Sequence, residues 1–428
     1  MSEPLELRHH GASRVPVGLG FLIGLAFLAP VASRAGVTLG HLILVGLLPV
    51  TLAASWRLRT TRFLLGAEAL WLVVAAITDR LQGVGLHDSY LTLTRPIIIF
   101  LTYCGFVWLY QMGRRYVLGA SAGFMIGVIV ASATYRVGNF QIDPWKYGLG
   151  DPVSLALVIC AGWAMLHKHT ALAIGLGSSA LLANLVLGFR SELAVVLVAA
   201  AIAAIGGKVR TDNRRWIIKL GMSLGAVLVI GYPAYGFLAS SGHLGAEQQY
   251  KWEGQSQVTG GAVIGARPEF VAASVIIGQS PLLGQGTGFS VDLSTQARFL
   301  ARLDQLGVSV SAEDSQFFFG KGVYLHSSFF QTWAESGILS LPGMLLPWFL
   351  VLRATGRAVR RGSRPLALIF GVVAAQFTWD FLFSPWLRLG PSLIGVAAAA
   401  AVVYLSASAD LKAESVEPAE PRLLVLTP

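Results

Sequence analysis

Long, continuous apolar runs dominate this chain, and they constrain its fold more than any other feature of the sequence. Hydrocarbon offers no partner to backbone polar groups, so only helices and closed barrels can cross a membrane. The runs do not alternate polar and apolar residues over the about ten positions typical of a barrel strand. A composition of 54% hydrophobic and 13% charged residues agrees with this. We therefore predict an all-α, polytopic integral membrane protein.

The apolar runs predict about twelve spans. Their centres lie near Gly24, Leu44, Leu70, Leu101, Phe124, Val158, Ser179, Leu197, Ala226, Gly337, Val373 and Ala398. Several runs are short for a bilayer about 30 Å thick, so some spans are expected to be tilted, broken or only partly crossing.

Basic residues predict the orientation, because translocated loops tend to lack Lys and Arg. One set of gaps holds most of them: Arg57, Arg59 and Arg62; Arg114 and Arg115; Lys168; Lys208, Arg210, Arg214, Arg215 and Lys219; and Arg353, Arg357, Arg360, Arg361 and Arg364. These gaps are predicted to be cytoplasmic, with both termini on the same side. The net charge of +10 then follows from topology and contact with membrane lipid. No nucleic-acid-binding module accompanies it, so nucleic acid is excluded as a partner.

One long polar interruption divides the chain. We predict transmembrane helices 1–9 in residues 1–239, a partly helical external loop in residues 240–322, and transmembrane helices 10–12 in residues 323–407. The segment 408–428, rich in Ala, Glu and Pro, is predicted to be a disordered cytoplasmic tail. An enzyme that acts on lipid-linked substrates needs such a loop to hold a polar head group, whereas a transporter rarely does. Catalysis is therefore favoured, with a transporter of lipid-linked substrates as the alternative.

Two arginines on the predicted external side suit phosphate binding, because a guanidinium stays charged and donates two parallel hydrogen bonds to phosphate oxygens. Arg190 follows an apolar run in a tight turn and could instead pair with Glu192. Arg267 precedes Pro268, which is acceptable in the first turn of a helix, so a short amphipathic helix is predicted to start there. Arg267 could equally form a solvated surface pair with Glu269.

His326 is the strongest candidate for chemistry. Among the eight histidines, it alone is predicted to begin a long helix at the loop boundary, with Ser328 and Gln331 forming a capping box. A helix N-terminus and nearby arginines both favour neutral imidazole, which can accept a proton. The alternative is a histidine that only forms hydrogen bonds at the membrane interface. Asp380, near an outer span end, could orient an arginine or the histidine, or form a structural ion pair.

The motifs of metal and covalent chemistry are missing from the external side. The sequence has no D-x-D, no H-E-x-x-H, no Cys/His cluster, no G-x-S-x-G and no Walker motif there. We predict neither a metal nor another cofactor. Cys104 and Cys160 fall in apolar runs of different spans, so no disulfide is expected between them and both are predicted to be small core residues.

These motifs together resemble the bacterial O-antigen ligase family, within the superfamily that includes the O-antigen polymerases. The resemblance rests on the topology, Phe189-Arg190-Ser191, Gly265-Ala266-Arg267, the Pro281–Gly288 turn, and Leu325-His326-Ser327 followed by Trp333 to Leu339. His326 and the glycine eleven positions later look like the family's ligase motif. Family members often carry Asn after the histidine, so the motif does not separate a ligase from a polymerase.

The resemblance implies a metal-independent, inverting glycosyltransferase of the GT-C type in the bacterial inner membrane. Its donor would be an O-antigen glycan on undecaprenyl pyrophosphate, and its acceptor a sugar hydroxyl of lipid A-core. Arg190 and Arg267 would bind the pyrophosphate, with Asp380 also at the substrate site, and His326 would be the general base at the periplasmic face.

Overall fold

The computed structural model describes residues 15–32, 36–134, 138–206, 233–256, 258, 267–308, 325–386 and 390–414. These residues are mostly helical, which confirms an all-α polytopic membrane protein. Within them, seven helices are long and apolar enough to cross a membrane, and a pair bent by 70° would make an eighth. The segments Val17–Leu28 and Thr170–Val186 form shorter apolar helices. The span predicted near Ala226 and the basic residues from Lys208 to Lys219 lie outside the described residues.

The elements of the first half are α1 (Val15–Leu25), a 3-10 turn (Ala26–Leu28), β1 (Pro30–Ala32), β2 (Val37–Thr38), α2 (Leu39–Gly46), α3 (Leu48–Trp56), α4 (Arg59–Leu81), α5 (Leu86–Met112), α6 (Arg114–Thr134), the turns Gly138–Gln141 and Trp145–Leu149, α7 (Gly150–Leu166), α8 (Thr170–Val186) and α9 (Arg190–Gly206). The strands β1 and β2 pair antiparallel. The bent pair is α2 and α3.

The elements of the second half are α10 (Ala246–Ser256), α11 (Glu269–Ile277), α12 (Leu293–Gln305), α13 (Ser328–Ser336), a 3-10 turn (Ile338–Ser340), α14 (Leu341–Arg360), α15 (Arg364–Phe383) and α16 (Gly390–Glu414). Helices α10, α11 and α12 lie in the segment predicted to be a loop. Helix α16 continues past residue 407, so the first part of the predicted disordered tail is helical. Residues 415–428 lie outside the described ranges.

The main core lies where α4, α5, α14, α15 and α16 meet, and its largest side chains include Trp71, Tyr103 and Met344. Helices α7 and α9 pack on α15, and α1 packs along α6. The α1–α6 contact is close because glycines line it: a Cβ at Gly20 would lie 2.2 Å from the carbonyl oxygen of Tyr116. Small residues allow such close backbone approach between membrane helices.

The two ends of the bundle differ in charge. We call the end at which α15 finishes the His326 end, because the backbone of Phe381 accepts a hydrogen bond from Ser327 there. The opposite end, called the basic end, is where α3, α5, α7 and α14 finish. It carries most of the described basic residues that were grouped by the sequence: Arg57, Arg59, Arg62, Arg114, Arg115, Lys168, Arg353, Arg357, Arg360, Arg361 and Arg364.

A second, smaller core lies at the His326 end. It joins α11, α12 and α13 through Ile276, Phe299, Leu303 and Ala334. Helix α11 starts where the sequence predicted a helix, but it is not amphipathic, since most of its residues from Val271 to Ile277 are buried. This core means that α13, which follows His326, belongs to the folded loop segment as well as to the bundle.

The span predicted near Gly337 is displaced toward the C-terminus, because the chain breaks at Gly337 and the apolar helix long enough to cross a membrane is Ile338–Arg360. Gly337 has φ +73°, and a new helix, α14, starts at Leu341. The glycine-rich turn Pro281–Gly288 inserts at the break: Gln285 N donates to Ala334 O at 2.7 Å, and Ile338 N donates to Pro281 O at 3.0 Å. His326 therefore precedes a nine-residue helix and not a long span.

Candidate functional site

The backbone at His326 is held in an uncommon conformation. Its φ is +43°, the left-handed region that few residues other than glycine adopt. The next residue, Ser327, accepts a hydrogen bond from Phe330 N and donates one to Phe381 O at 2.7 Å. Ser328 donates to Asp380 O at 3.0 Å. The start of α13 is therefore fixed to the end of α15, and the histidine side chain projects from this junction.

The predicted capping box is shifted by one residue. Ser327, and not Ser328, is the N-cap of α13. Gln331 still binds a backbone N–H ahead of the helix, because its Oε1 accepts from Leu325 N at 2.9 Å. The local pattern thus identified a helix start correctly but assigned the capping serine wrongly.

The imidazole of His326 lies between groups of opposite charge. Its Nδ1 is 3.3 Å from Glu269 Oε1, and its side chain is 36% exposed. The pKa of His326 lies below its usual value, first because burial disfavours imidazolium and also because of Arg267, while Glu269 acts in the opposite sense. Neutral imidazole therefore predominates near neutral pH. Because Nδ1 is the nitrogen beside Glu269, Nε2 is the ring nitrogen better suited to receive a proton from a substrate.

Glu269 is the residue that sequence reasoning missed. It stands in the first turn of α11, two positions after Arg267, and was interpreted as a surface partner of that arginine. In the structure its side chain is 13% exposed and turns to His326. No local signal links residues so distant in sequence. The only available hint was a carboxylate beside a candidate arginine at the start of a helix.

Arg190 is the first residue of α9 and follows the tight turn at Gly188, whose φ is +70°. Its Nη1 donates to the hydroxyl of Tyr235, and its guanidinium carbon lies 5.0 Å above the Tyr235 ring. Among the described residues, its partner is therefore Tyr235 and not Glu192. A guanidinium carries five N–H donors, so a single tyrosine oxygen does not use up its capacity to bind an anion.

Three carboxyl groups, from Asp151, Glu192 and Asp380, form a cluster at the His326 end. Glu192 forms a side-chain hydrogen bond with Asp151, and both interact electrostatically with Asp380. Asp380 accepts hydrogen bonds from Gln376 Nε2 at 3.1 and 3.2 Å. The predicted contact of Asp380 with an arginine or the histidine is wrong for the described residues, because its side-chain partners are Gln376, Ser384 and other carboxyl groups. Its backbone nevertheless anchors Ser328.

The two sequence-predicted arginines stand in different relations to His326. Arg267, two residues before α11, lies near enough to His326, at the junction before α13, for its charge to lower the pKa of the imidazole. Arg190 lies at the same end of the bundle, at the start of α9, which packs on α15. A neutral imidazole beside a guanidinium can accept a proton from a hydroxyl while the guanidinium holds an anion. Within the described ranges, no group of three or more His, Cys, Asp or Glu side chains is arranged to hold a metal ion.

Comparison with known proteins adds no family to this description. No protein-family model matches the chain, and no curated protein matches it significantly.

Proposed function

We propose that this protein is an inverting membrane glycosyltransferase that joins an O-antigen glycan to lipid A-core. The observation that carries the proposal is the contact of His326 with Glu269, within the electrostatic influence of Arg267, at one end of a membrane-embedded helix bundle. A base beside an anion-binding group, at the end of the spans, suits a substrate whose lipid tail is in the bilayer and whose pyrophosphate is at its surface. The sequence resemblance supplies the identity of donor and acceptor.

In the proposed reaction, an acceptor sugar hydroxyl attacks the anomeric carbon of the donor glycan. His326 Nε2 takes the hydroxyl proton as the new C–O bond forms, and the bond to undecaprenyl pyrophosphate breaks. Glu269 stabilises the imidazolium that results. Arg190 and Arg267 hold the pyrophosphate and offset its charge as it leaves. Attack opposite the leaving group inverts the configuration of the anomeric carbon.

We expect purified protein to join lipid-linked glycan to lipid A-core in the presence of EDTA and without nucleotide, scored as a product of higher mass on a gel. His326→Ala should lower the rate by about 100- to 10,000-fold, the range for loss of a general base, without changing thermal unfolding. His243→Ala is the matched control, because His243 bonds only locally to Ser241 at 2.6 Å in the described loop segment.

The acceptor distinguishes the alternatives. Transfer to a second lipid-linked glycan, with lipid A-core ignored, would identify a polymerase of the same superfamily. Translocation of lipid-linked glycan in vesicles, with no joined product and full activity in His326→Ala, would contradict both transferase proposals and favour a transporter.

A further inference from the structure

We propose that Gln331, Glu335 and Arg95 form a positioning strut that holds the backbone before His326 and so sets the direction of its imidazole. The inference rests on the proposed function only where catalytic rate is the readout. None of the three side chains is a catalytic residue, since each acts through the conformation of His326.

The strut is a continuous line of hydrogen bonds from α5 to the residue preceding the histidine. Arg95 Nη1 donates to Glu335 Oε2 at 2.5 Å, and Gln331 Nε2 donates to Glu335 Oε1 at 2.8 Å. Gln331 Oε1 then accepts from Leu325 N at 2.9 Å. Thr92, also on α5, adds a bond to Glu335 Oε2 at 3.2 Å. Every link therefore has a donor and an acceptor.

The strut is shielded from solvent. Gln331, Glu335 and Thr92 are 7%, 4% and 0% exposed. The ring of Trp386 covers the guanidinium of Arg95 at 5.2 Å and donates from its own Nε1 to Thr332 at 3.1 Å. A buried ion pair favours a single geometry when further hydrogen bonds satisfy its polar atoms, and both carboxylate oxygens of Glu335 have partners here.

The hydrogen bond between Gln331 and Leu325 N indicates that the strut positions His326 and does not only support the packing of α13. A Gln–Glu pair one turn apart would support α13 without any bond to Leu325. The bond to Leu325 fixes the peptide on one side of His326 to α5, while Ser327 fixes the other side to α15. His326 lies between these two anchors with φ +43°, a conformation that persists only when its surroundings determine it.

An isosteric exchange tests the strut without changing volume. Gln331→Glu places two carboxyl groups face to face, so they must separate or share a proton. In Glu335→Gln, the new amide N–H₂ group must face either Arg95 or Gln331. Both of these side chains donate to residue 335, so one hydrogen-bond donor would face another. The double variant Q331E/E335Q restores a complete line. The amide introduced at position 335 would accept from Arg95 and donate to the carboxylate introduced at position 331, which still accepts from Leu325. Total charge is unchanged in the double variant.

We expect Gln331→Glu at pH 8 to lower kcat for glycan transfer by about 10- to 100-fold with little change in the KM of the donor, since misplacement by about 1 Å can cost that much. The double variant should recover most of the rate. A merely structural role would lower yield and thermal stability but leave kcat of the folded protein unchanged. Folding is checked by monodispersity in detergent and by thermal unfolding of each variant.

A second readout does not depend on transfer. Diethylpyrocarbonate modifies exposed neutral imidazole, and His326 is 36% exposed, so loosening its backbone should raise its modification rate by up to about threefold. Peptide mass spectrometry follows His326, with His243 as the internal reference. An increase in Gln331→Glu that the double variant reverses supports the strut. The strut is overturned if folded Gln331→Glu keeps the wild-type rate of modification, or if the double variant fails to reverse the change. The wild-type protein could lack transfer activity while Gln331→Glu still raises the modification rate of His326 and the double variant reverses it. That result would disprove only the proposed function.

Discussion

At the scale of single residues, the protonation of His326 depends on two neighbours of opposite charge. Burial and Arg267 hold its pKa down, and Glu269 raises it. The net direction is downward, so the imidazole is ready to accept a proton near neutral pH. The balance also implies that either neighbour can be changed to move the pKa in a known direction.

Glu269→Gln removes the negative charge that favours imidazolium, so the pKa of His326 should fall further. The acid limb of the pH profile of kcat/KM should therefore move to lower pH. Asp304→Asn, an exposed carboxylate on α12, is the control and should leave the profile in place. A shift toward higher pH would show that Glu269 does not act on His326 through its charge.

The residues around His326 illustrate what the sequence could and could not predict. His326, Arg267 and Arg190 were identifiable because each is an ionisable residue near the end of an apolar run, where its presence needs an explanation. Glu269 and Glu335 were not, because their partners are distant in sequence: Glu335 pairs with Arg95. Asp380 was placed at the correct end of the bundle, but its partners were wrongly predicted. The local sequence determines where a residue lies along a helix, whereas the tertiary fold determines which side chains it contacts.

At the scale of elements, the decisive feature is the break between α13 and α14. Hydropathy predicts one span across Gly337, because apolar residues continue on both sides of it. The structure instead inserts the Pro281–Gly288 turn there, and Glu335 O accepts from Gly286 N at 2.9 Å. Two of the orphan carbonyls at the end of α13, those of Ala334 and Glu335, are thereby satisfied by a remote segment. The apolar sequence around Gly337 contains no information about that remote segment.

Gly337→Ala should destabilise this junction, because φ is +73° and a Cβ would lie 2.0 Å from Leu282 O. We expect a loss of about 2 kcal/mol or more in the free energy of unfolding, seen as earlier thermal unfolding in detergent. Gly66→Ala in α4 is the matched control, because a Cβ there meets nothing within 4 Å. It should be neutral or stabilising by up to about 1 kcal/mol. Equal stability of the two variants would mean that the turn is not seated at Gly337.

At the scale of the whole molecule, the bundle has one end rich in arginine and another that carries the candidate site. Positive residues are retained on the cytoplasmic side during insertion. The His326 end is therefore expected on the opposite side, where a lipid-linked glycan would be presented. Hydropathy and charge were sufficient to predict that most of these basic residues share one end of the bundle, since both depend on composition along the chain and not on tertiary contacts.

Cysteine labelling with a membrane-impermeant maleimide can test this orientation in a background with Cys104 and Cys160 replaced by alanine. Tyr250→Cys, at a position 80% exposed on α10, should react in intact spheroplasts. Lys168→Cys, exposed at the basic end, should react only after permeabilisation. Labelling of both positions from the same side would contradict the proposed topology.

The two anchors beside His326 belong to different spanning helices, α5 through Leu325 and α15 through Ser327. Acyl chains of different length change how far spanning helices lean, and neighbouring helices need not lean equally. A change in the position of α5 relative to α15 would twist the short peptide held between them. The catalytic geometry would then be tuned by the thickness of the surrounding lipid, with turnover greatest in phospholipids whose hydrocarbon depth matches the bundle.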